Sequence, residues 1–208
     1  MPGIFIFSGP SAAGKTTIVR TLEFLYPQYF KEAVSDTTRP MRPGEKDGRD
    51  YYFIDKATFL QRLGRGEYLE HQEVYGNIYG LRKREIIDIL NSGKNALVIV
   101  YPEAMYFFDI FKDQYPVITI FVDADNKILV KRLMERQVSK KDIEKRLQTI
   151  DYEREFKEKF DIILDTSHTT PEQTVDYLLD KLRQFNISKL VLPNLSTIIP
   201  RKDMYMRK

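Results

Sequence analysis

Gly9, Gly14, Lys15 and Thr16 stand at the spacing Gly-x-x-x-x-Gly-Lys-Ser/Thr inside the stretch SGPSAAGKTT, residues 8 to 17. That spacing reads as a phosphate-binding loop. Its glycines let the backbone turn so tightly that successive N–H groups point into one hollow, where the dipole of the following helix also favours negative charge. Lys15 is then expected to reach the terminal phosphates of a bound nucleotide and the Thr16 hydroxyl to ligate Mg²⁺. The competing reading is a small-residue turn ahead of a helix. The apolar run GIFIF before the loop and the helical pattern after it are the strand and helix that phosphate binding requires. A second set of anion-handling groups lies further on: Arg39 and Arg42 in RPMR, and Tyr51 and Tyr79 beside turn glycines. Guanidinium forks bind phosphate oxygens in pairs, and phenol hydroxyls add neutral donors. Taken singly, such a basic run is more often a solvated loop, and tyrosines near glycine are more often packing.

The elements that must position these groups are marked by four short apolar, mostly β-branched runs: GIFIF (3–7), ALVIV (96–100), VITIFV (117–122) and DIILD (161–165). Continuous apolarity suits strands buried on both faces. Residues 171–185 place Val175, Leu178, Leu179, Leu182 and Phe185 on one helical face, with Thr170 as N-cap, Pro171 in the first turn and Gln173 three after the cap. Ile86, Ile87 and Leu90 share a face of another helix that Gly93 can end. Strands alternating with helices imply a parallel sheet covered on both sides, with ligands at the carboxyl ends of the strands, where the phosphate loop lies. Residues 34–80 break this rhythm. Pro, Gly and charge in TTRPMRPGEKDGRDYYF give way to a short aromatic strand, a small helix near 56–64 and the stretch GEYLEHQEVYGNIYG. Together they read as an inserted, partly β substrate region.

A chain of 208 residues suffices for one compact α/β domain with smaller insertions, and 42% apolar with 30% charged residues argues against wholesale disorder. Cysteine is absent, which excludes disulfides and thiolate metal sites and fits a reducing compartment. The start MPGIFIFSGP lacks a basic leader and its apolar run is too short for a signal core or a span, so a cytoplasmic chain with no membrane partner is expected. Net charge is +3, yet from Ser188 onward Lys189, Arg201, Lys202, Arg207 and Lys208 face only Asp203. The basic balance therefore belongs to a tail, residues 188–208, and no nucleic-acid partner is expected. Its apolar pieces LVLPNL and TII leave room for packing on the body or on a second copy, so monomer and homodimer both stay open.

Beyond GPSAAGKTT, the stretches VSDTTRPMRPGEKDGRDYYF, GEYLEHQEVYGNIYGLRK and RLMERQVSKKDIEKRL make the chain resemble the guanylate kinase family to about residue 187. The resemblance implies an α/β fold: a P-loop NTPase-type parallel sheet flanked by helices, with a partly β nucleotide-monophosphate-binding insertion and a helical lid. On that pattern residues 1–33, 92–125 and 153–187 form the core, 34–91 the monophosphate-binding region and 126–152 the lid. The implied reaction moves the γ-phosphoryl group of ATP to GMP or dGMP, with Mg²⁺ as cofactor. By the same resemblance Gly9, Ser11, Ala12, Ala13, Gly14, Lys15, Thr16 and Thr17 bind ATP, and Thr16 holds the metal. Ser35 and Glu70 face the guanine, while Arg39, Arg42, Tyr51 and Tyr79 hold the acceptor phosphate. Lys15, Arg132, Arg136 and Arg146 are the implied catalytic cations. Phosphoryl transfer asks for alignment and charge neutralisation more than for covalent help, which suits such a set. On spacing alone, Lys131, Arg132 and Arg136 read equally as an exposed basic helix face.

The chain departs from the family's pattern at five residues. Leu81 replaces a Ser or Thr whose hydroxyl helps read the guanine, and Arg82 and Lys83 are the neighbours able to supply that donor. Ile99 and Tyr101 stand where carboxylates organise the magnesium shell and the purine site. Asp36 replaces a His beside Ser35, and Asp165 an adenine-side Asn. Two other readings stay open: the same fold acting on another nucleotide or a sugar phosphate, and a non-catalytic guanylate-kinase-like module that binds a peptide. The retained RPMRPGEKDGRDYYF argues against a sugar phosphate, and the intact phosphate loop against the module.

Overall fold

Strand β1 (Ile4–Ser8) is buried along its whole length in the computed structural model, which describes residues 1–74, 76–135, 140–184 and 190–193. It leads into α1 (Lys15–Leu25) and β2 (Phe30–Glu32). An insertion follows: β3 (Asp36–Thr37), β4 (Tyr52–Phe53), α2 (Lys56–Gly64), β5 (Tyr68–Val74) and β6 (Asn77–Arg82). The chain then returns through α3 (Lys83–Asn91), β7 (Asn95–Ile99), a 3-10 stretch Pro102–Phe111 and β8 (Val117–Asp123). It closes with α4 (Asn126–Glu135), α5 (Lys140–Arg154), β9 (Ile162–Asp165) and α6 (Pro171–Gln184).

The main sheet has the order β2-β7-β1-β8-β9 with every pair parallel. Alternation along the strands sends Phe5, Phe7, Leu97, Ile118, Ile120 and Val122 to one layer, with the apolar faces of α1 and α6. Ile4, Ile6, Ala96, Val98 and Phe121 go to the other, with α3 and the 3-10 stretch. Both faces are covered, so the four expected runs read as unbroken apolarity. The edge strand β2 went unread because FKE offers a single apolar residue. The α6 start is the expected capping box: the Gln173 N–H donates to Thr170 Oγ1 at 3.3 Å, and Gln173 Oε1 accepts from the Thr170 N–H at 2.9 Å. In α3 the buried face is Ile86, Ile89 and Leu90, with Ile87 only partly covered.

The insertion folds its own four-stranded sheet, β4-β3-β6-β5, in which β3 pairs parallel to β4 and antiparallel to β6. Its register assigns the side chains to two faces. Thr37 is paired with Tyr79 and Phe53, and Glu70 with Leu81, on one face; Asp36 is paired with Tyr52 and Gly80, and Tyr68 with Arg82, on the other. A β-bulge between Tyr68 and Glu70 turns these two residues to opposite faces although they are two apart. Leu81 is fully buried in the same cluster as α3 and β7, which ties the insertion to the core.

At the amino ends of the main-sheet strands, Leu190 and Leu192 pack on the core and the Val191 N–H donates to the Met1 carbonyl at 3.0 Å. Part of the expected tail thus packs on the body. Among the described residues no helix is long and apolar enough to cross a membrane.

Candidate active site

Ser8 ends β1 by donating its hydroxyl to the Val100 carbonyl at 2.8 Å, and the chain turns at Gly9 with φ +122°. A Cβ at Gly9 would lie 2.1 Å from the Val122 carbonyl oxygen, so only glycine lets the loop leave between its neighbouring strands. Gly14, in the left-handed conformation, is the N-cap of α1. Having no side chain to cap with, it leaves the first-turn N–H groups to an anion. Thr16 and Thr17 are exposed on that first turn. Lys15 Nζ donates to the carbonyls of Gly9 and, at 2.8 Å, of Pro10, folding its ammonium over the loop.

Two arginines from separate helices flank the loop. Arg132 on α4 donates from Nη1 to Thr166 Oγ1 at 2.9 Å and to the Ala12 carbonyl at 3.3 Å, and from Nη2 to the Thr166 carbonyl at 2.7 Å. Thr166, buried just past β9, donates its hydroxyl to the Ala13 carbonyl at 2.7 Å. Arg146 on α5 donates to Ser11 Oγ at 2.6 Å. Between loop, Arg132 and the start of α6 lies a cavity of about 150 Å³ whose walls include Gly14, Thr17, Thr166 and Thr169. Arg136 lies outside the described residues. Asp165 is exposed and accepts from the Ser167 N–H at 2.7 Å; the Ser167 hydroxyl and this N–H together hold its carboxyl below the usual range.

On the insertion, Arg39 is buried beside two rings, its guanidinium carbon 5.4 Å from the Tyr51 centroid and 5.5 Å from that of Phe53. Tyr51 and Tyr79 meet edge to face at 5.6 Å beside the Arg39 guanidinium. Arg42 is exposed on the adjoining turn, with its backbone N–H donating to Glu45 Oε2 at 2.7 Å. The structure thus brings Arg39, Tyr51 and Tyr79 together, with Arg42 beside them. Glu70 sits on the Tyr79 face of the sheet, and burial pushes its carboxyl up to about 7 against a hydrogen bond from the Leu81 N–H. Ser35 is half-buried and its carbonyl accepts from the Tyr52 N–H at 2.9 Å.

Arg82 does not supply the donor that Leu81 lacks, because it points to the opposite face. There it lies 3.2 Å from Asp36 Oδ1 and over the Tyr52 ring at 4.7 Å. Asp36, fully buried, also accepts from Arg62 Nη1 at 2.5 Å and from the Tyr68 hydroxyl at 2.7 Å. Asp36 is therefore the anchor of a buried ionic cluster beneath the sheet, not a base-reading neighbour of Ser35. The insertion is linked to the phosphate-loop helix by Arg20 of α1, which donates to Asp50 Oδ1 at 2.8 Å beside Tyr51. Sequence reasoning missed Thr166 and Glu45. The contacts of Thr166 span the whole fold and left no local signal, whereas Glu45, three residues after Arg42, stood at a turn spacing that hinted at its role.

A phosphate loop at the carboxyl end of a parallel sheet, faced by arginines from two helices and joined to an insertion with its own cationic cluster, defines the architecture of a nucleoside monophosphate kinase. Comparison with known proteins narrows the class. The guanylate kinase profile matches residues 2–184. The guanylate kinase of Chlamydia felis is 36% identical over 166 residues, 79% of this chain and 80% of that one. That of Anaplasma phagocytophilum is 32% identical over 183 residues, 86% and 85% of the two chains. The crystal structure of the Anaplasma phagocytophilum guanylate kinase superposes with a TM-score of 0.67 at 28% identity, covering 90% of this chain and 88% of that one. The chain belongs to the guanylate kinase family.

Proposed function

We propose that this protein transfers the γ-phosphoryl group of ATP to GMP, giving ADP and GDP. The observation that carries the reading is the pairing of two anion cradles: open N–H groups at the start of α1, and the Arg39, Tyr51 and Tyr79 cluster tied to the same helix through Arg20 and Asp50. In this reading residues 9 and 11–17 hold the ATP phosphates, and the small cavity beside Arg132 and Thr166 takes the nucleoside end. Arg39, Arg42, Tyr51 and Tyr79 hold the acceptor phosphate, and Ser35 and Glu70 read the guanine edge. Lys15 leaves its own loop carbonyls for the β- and γ-phosphates when ATP supplies a stronger acceptor.

Arg132 and Arg146 neutralise charge on the moving phosphoryl group, and Arg136 joins them by its place in the sequence. Residues 126–152 then act as the lid over the core, and residues 34–91 as the acceptor region. Closing that lid excludes water, which otherwise competes as acceptor. The donor set around Thr16, one hydroxyl plus substrate phosphates, fits Mg²⁺, which keeps several waters and takes few protein ligands. Thr16 would hold the ion, which would supply positive charge to the ATP phosphates. The chain works on small-molecule substrates in the cytoplasm, as a monomer or homodimer.

The test is an acceptor panel of nucleoside monophosphates with ATP and Mg²⁺, following ADP release. GMP-dependent turnover that Lys15→Ala lowers by about 10²-fold or more is expected. Turnover with another monophosphate alone overturns the acceptor assignment, and nucleotide binding without any acceptor-dependent turnover overturns the enzymatic reading.

A further inference from the structure

Arg39 is held in place before any acceptor arrives. It is 8% exposed, and the carboxylate of Glu45 takes one whole edge of its guanidinium: Nη1 donates to Oε2 at 2.9 Å and Nη2 to Oε1 at 2.8 Å. The second Nη1 hydrogen goes to the Pro40 carbonyl at 2.8 Å. A guanidinium has five N–H donors, so this arrangement leaves the Nε hydrogen and one Nη2 hydrogen on the other edge. The same Glu45 Oε2 accepts the Arg42 backbone N–H at 2.7 Å. One carboxylate thus fixes the plane of one arginine and the backbone of the other. Its partners all belong to the single turn 39–45, so it need not move when an anion approaches from the tyrosines.

We propose that Glu45 is a positioning residue for the acceptor phosphate: it holds Arg39 edge-on, so that the remaining donors and the Tyr79 hydroxyl form one preset fork, and it does not itself touch the substrate. This rests on the reading of Arg39 as an acceptor-phosphate ligand. The alternative geometry, in which the carboxylate sits where the phosphate must go, has the opposite consequence. A competing anion weakens acceptor binding and its removal strengthens it; a positioning anion strengthens binding and its removal weakens it.

Steady-state kinetics of Glu45→Gln, with ATP saturating and GMP varied, separate the two. The amide keeps the size of the side chain but turns one acceptor into a donor facing the guanidinium. KM for GMP is expected to rise about 10- to 100-fold, the loss of one or two charge-assisted hydrogen bonds. KM for ATP and kcat should stay within about threefold, a split that general loss of structure does not give. Glu45→Asp, which keeps the charge and shortens the reach, should recover part of the loss. In an Arg39→Ala background Glu45→Gln should add far less than it does alone, because only its hold on the Arg42 backbone is left to lose. If Arg39→Ala raises KM for GMP while Glu45→Gln and Glu45→Asp leave it unchanged or lower it, the positioning role is overturned and the site reading stands. If Arg39→Ala itself leaves KM for GMP unchanged, the site reading falls and this inference with it.

Discussion

Burial pushes the Glu70 carboxyl up to about 7, and Glu153, buried near Lys15 with its Oε2 unpartnered, is pushed to about 7 by the same cause. For both, the folded pKa lies above the ordinary glutamate value of 4.5. Below that value the two states are equally protonated; between it and about 7 the folded state keeps a proton that the unfolded chain has released, so stability falls as pH rises through the window. Glu45, Asp50 and Asp123 are held below the usual carboxylate range by cationic partners and hydrogen bonds, and their contribution is lost only on acidification below about pH 4. Glu70→Gln and Glu153→Gln should therefore gain in melting temperature relative to the unsubstituted protein as the buffer goes from about pH 5 to about pH 8. A difference that stays flat across that range would show that neither carboxyl titrates in the folded state. Glu70 carries a functional counterpart of the same shift. Only the carboxylate accepts both hydrogen bonds that a guanine edge offers, so KM for GMP should fall as pH rises through about 7, and Glu70→Gln should flatten that profile.

The small sheet of the insertion is organised by what lies on each of its faces. The face proposed to meet the substrate carries Tyr79 and Glu70; the back face carries Asp36, Tyr68 and Arg82, covered by α2 through Arg62 and through Phe59 stacked on Tyr68 at 4.4 Å. Asp36→Ala leaves Arg62 in a partly buried site without its counter-ion and Arg82 with only its longer pair to Glu85 at 3.7 Å. A loss of about 3–5 kcal/mol is expected, read from the midpoint of urea unfolding. Because the cluster lies behind the substrate face, KM for GMP should change far less in protein kept below its melting transition. A large change in KM without a loss of stability would place Asp36 at the base after all. How much of this the sequence disclosed depends on how local each signal was. The phosphate loop, the four apolar strands β1, β7, β8 and β9, the helix at 56–64 and the α6 capping box are written in adjacent residues, and all were legible. The strand β3 is two residues long, and the bulge that aims Glu70 depends on pairing with β6, so neither had a local signature. Asp36 looked like a change in base recognition because its neighbour Ser35 is expected there; its partners Arg62, Tyr68 and Arg82 are distant in sequence, and only the register brings them together.

Across the whole molecule the parallel sheet has two ends with different work. Its carboxyl end carries the phosphate loop, and its amino end is closed by residues 190–193: Asn95, fully buried, accepts the Gly3 N–H at 2.8 Å and donates to the carbonyls of Tyr29 at 3.0 Å and Val191 at 2.7 Å. Arg183 of α6 adds a hydrogen bond to the Pro193 carbonyl at 3.2 Å. The close fit extends to Gly3, where a Cβ would come within 2.7 Å of Leu190 Cδ1. Ending the chain at Gln184 removes two part-buried leucines and the hydrogen bonds that involve Val191 and Pro193, and leaves the Asn95 amide one partner short. The expected cost is about 2–4 kcal/mol, a fall of about 5–10 °C in melting temperature. The phosphate loop lies a strand's length away, about 16 Å along β1, and no contact of Leu190, Val191 or Leu192 given by the structure reaches it. Truncation should therefore leave kcat and both KM values within about twofold at a temperature where the shortened chain is folded. Melting curves and steady-state kinetics on the same preparation check both halves. A truncated chain that melts normally but turns over slowly would mean that the basic tail acts at the catalytic end, and that the division of the sheet into a structural and a chemical end is wrong.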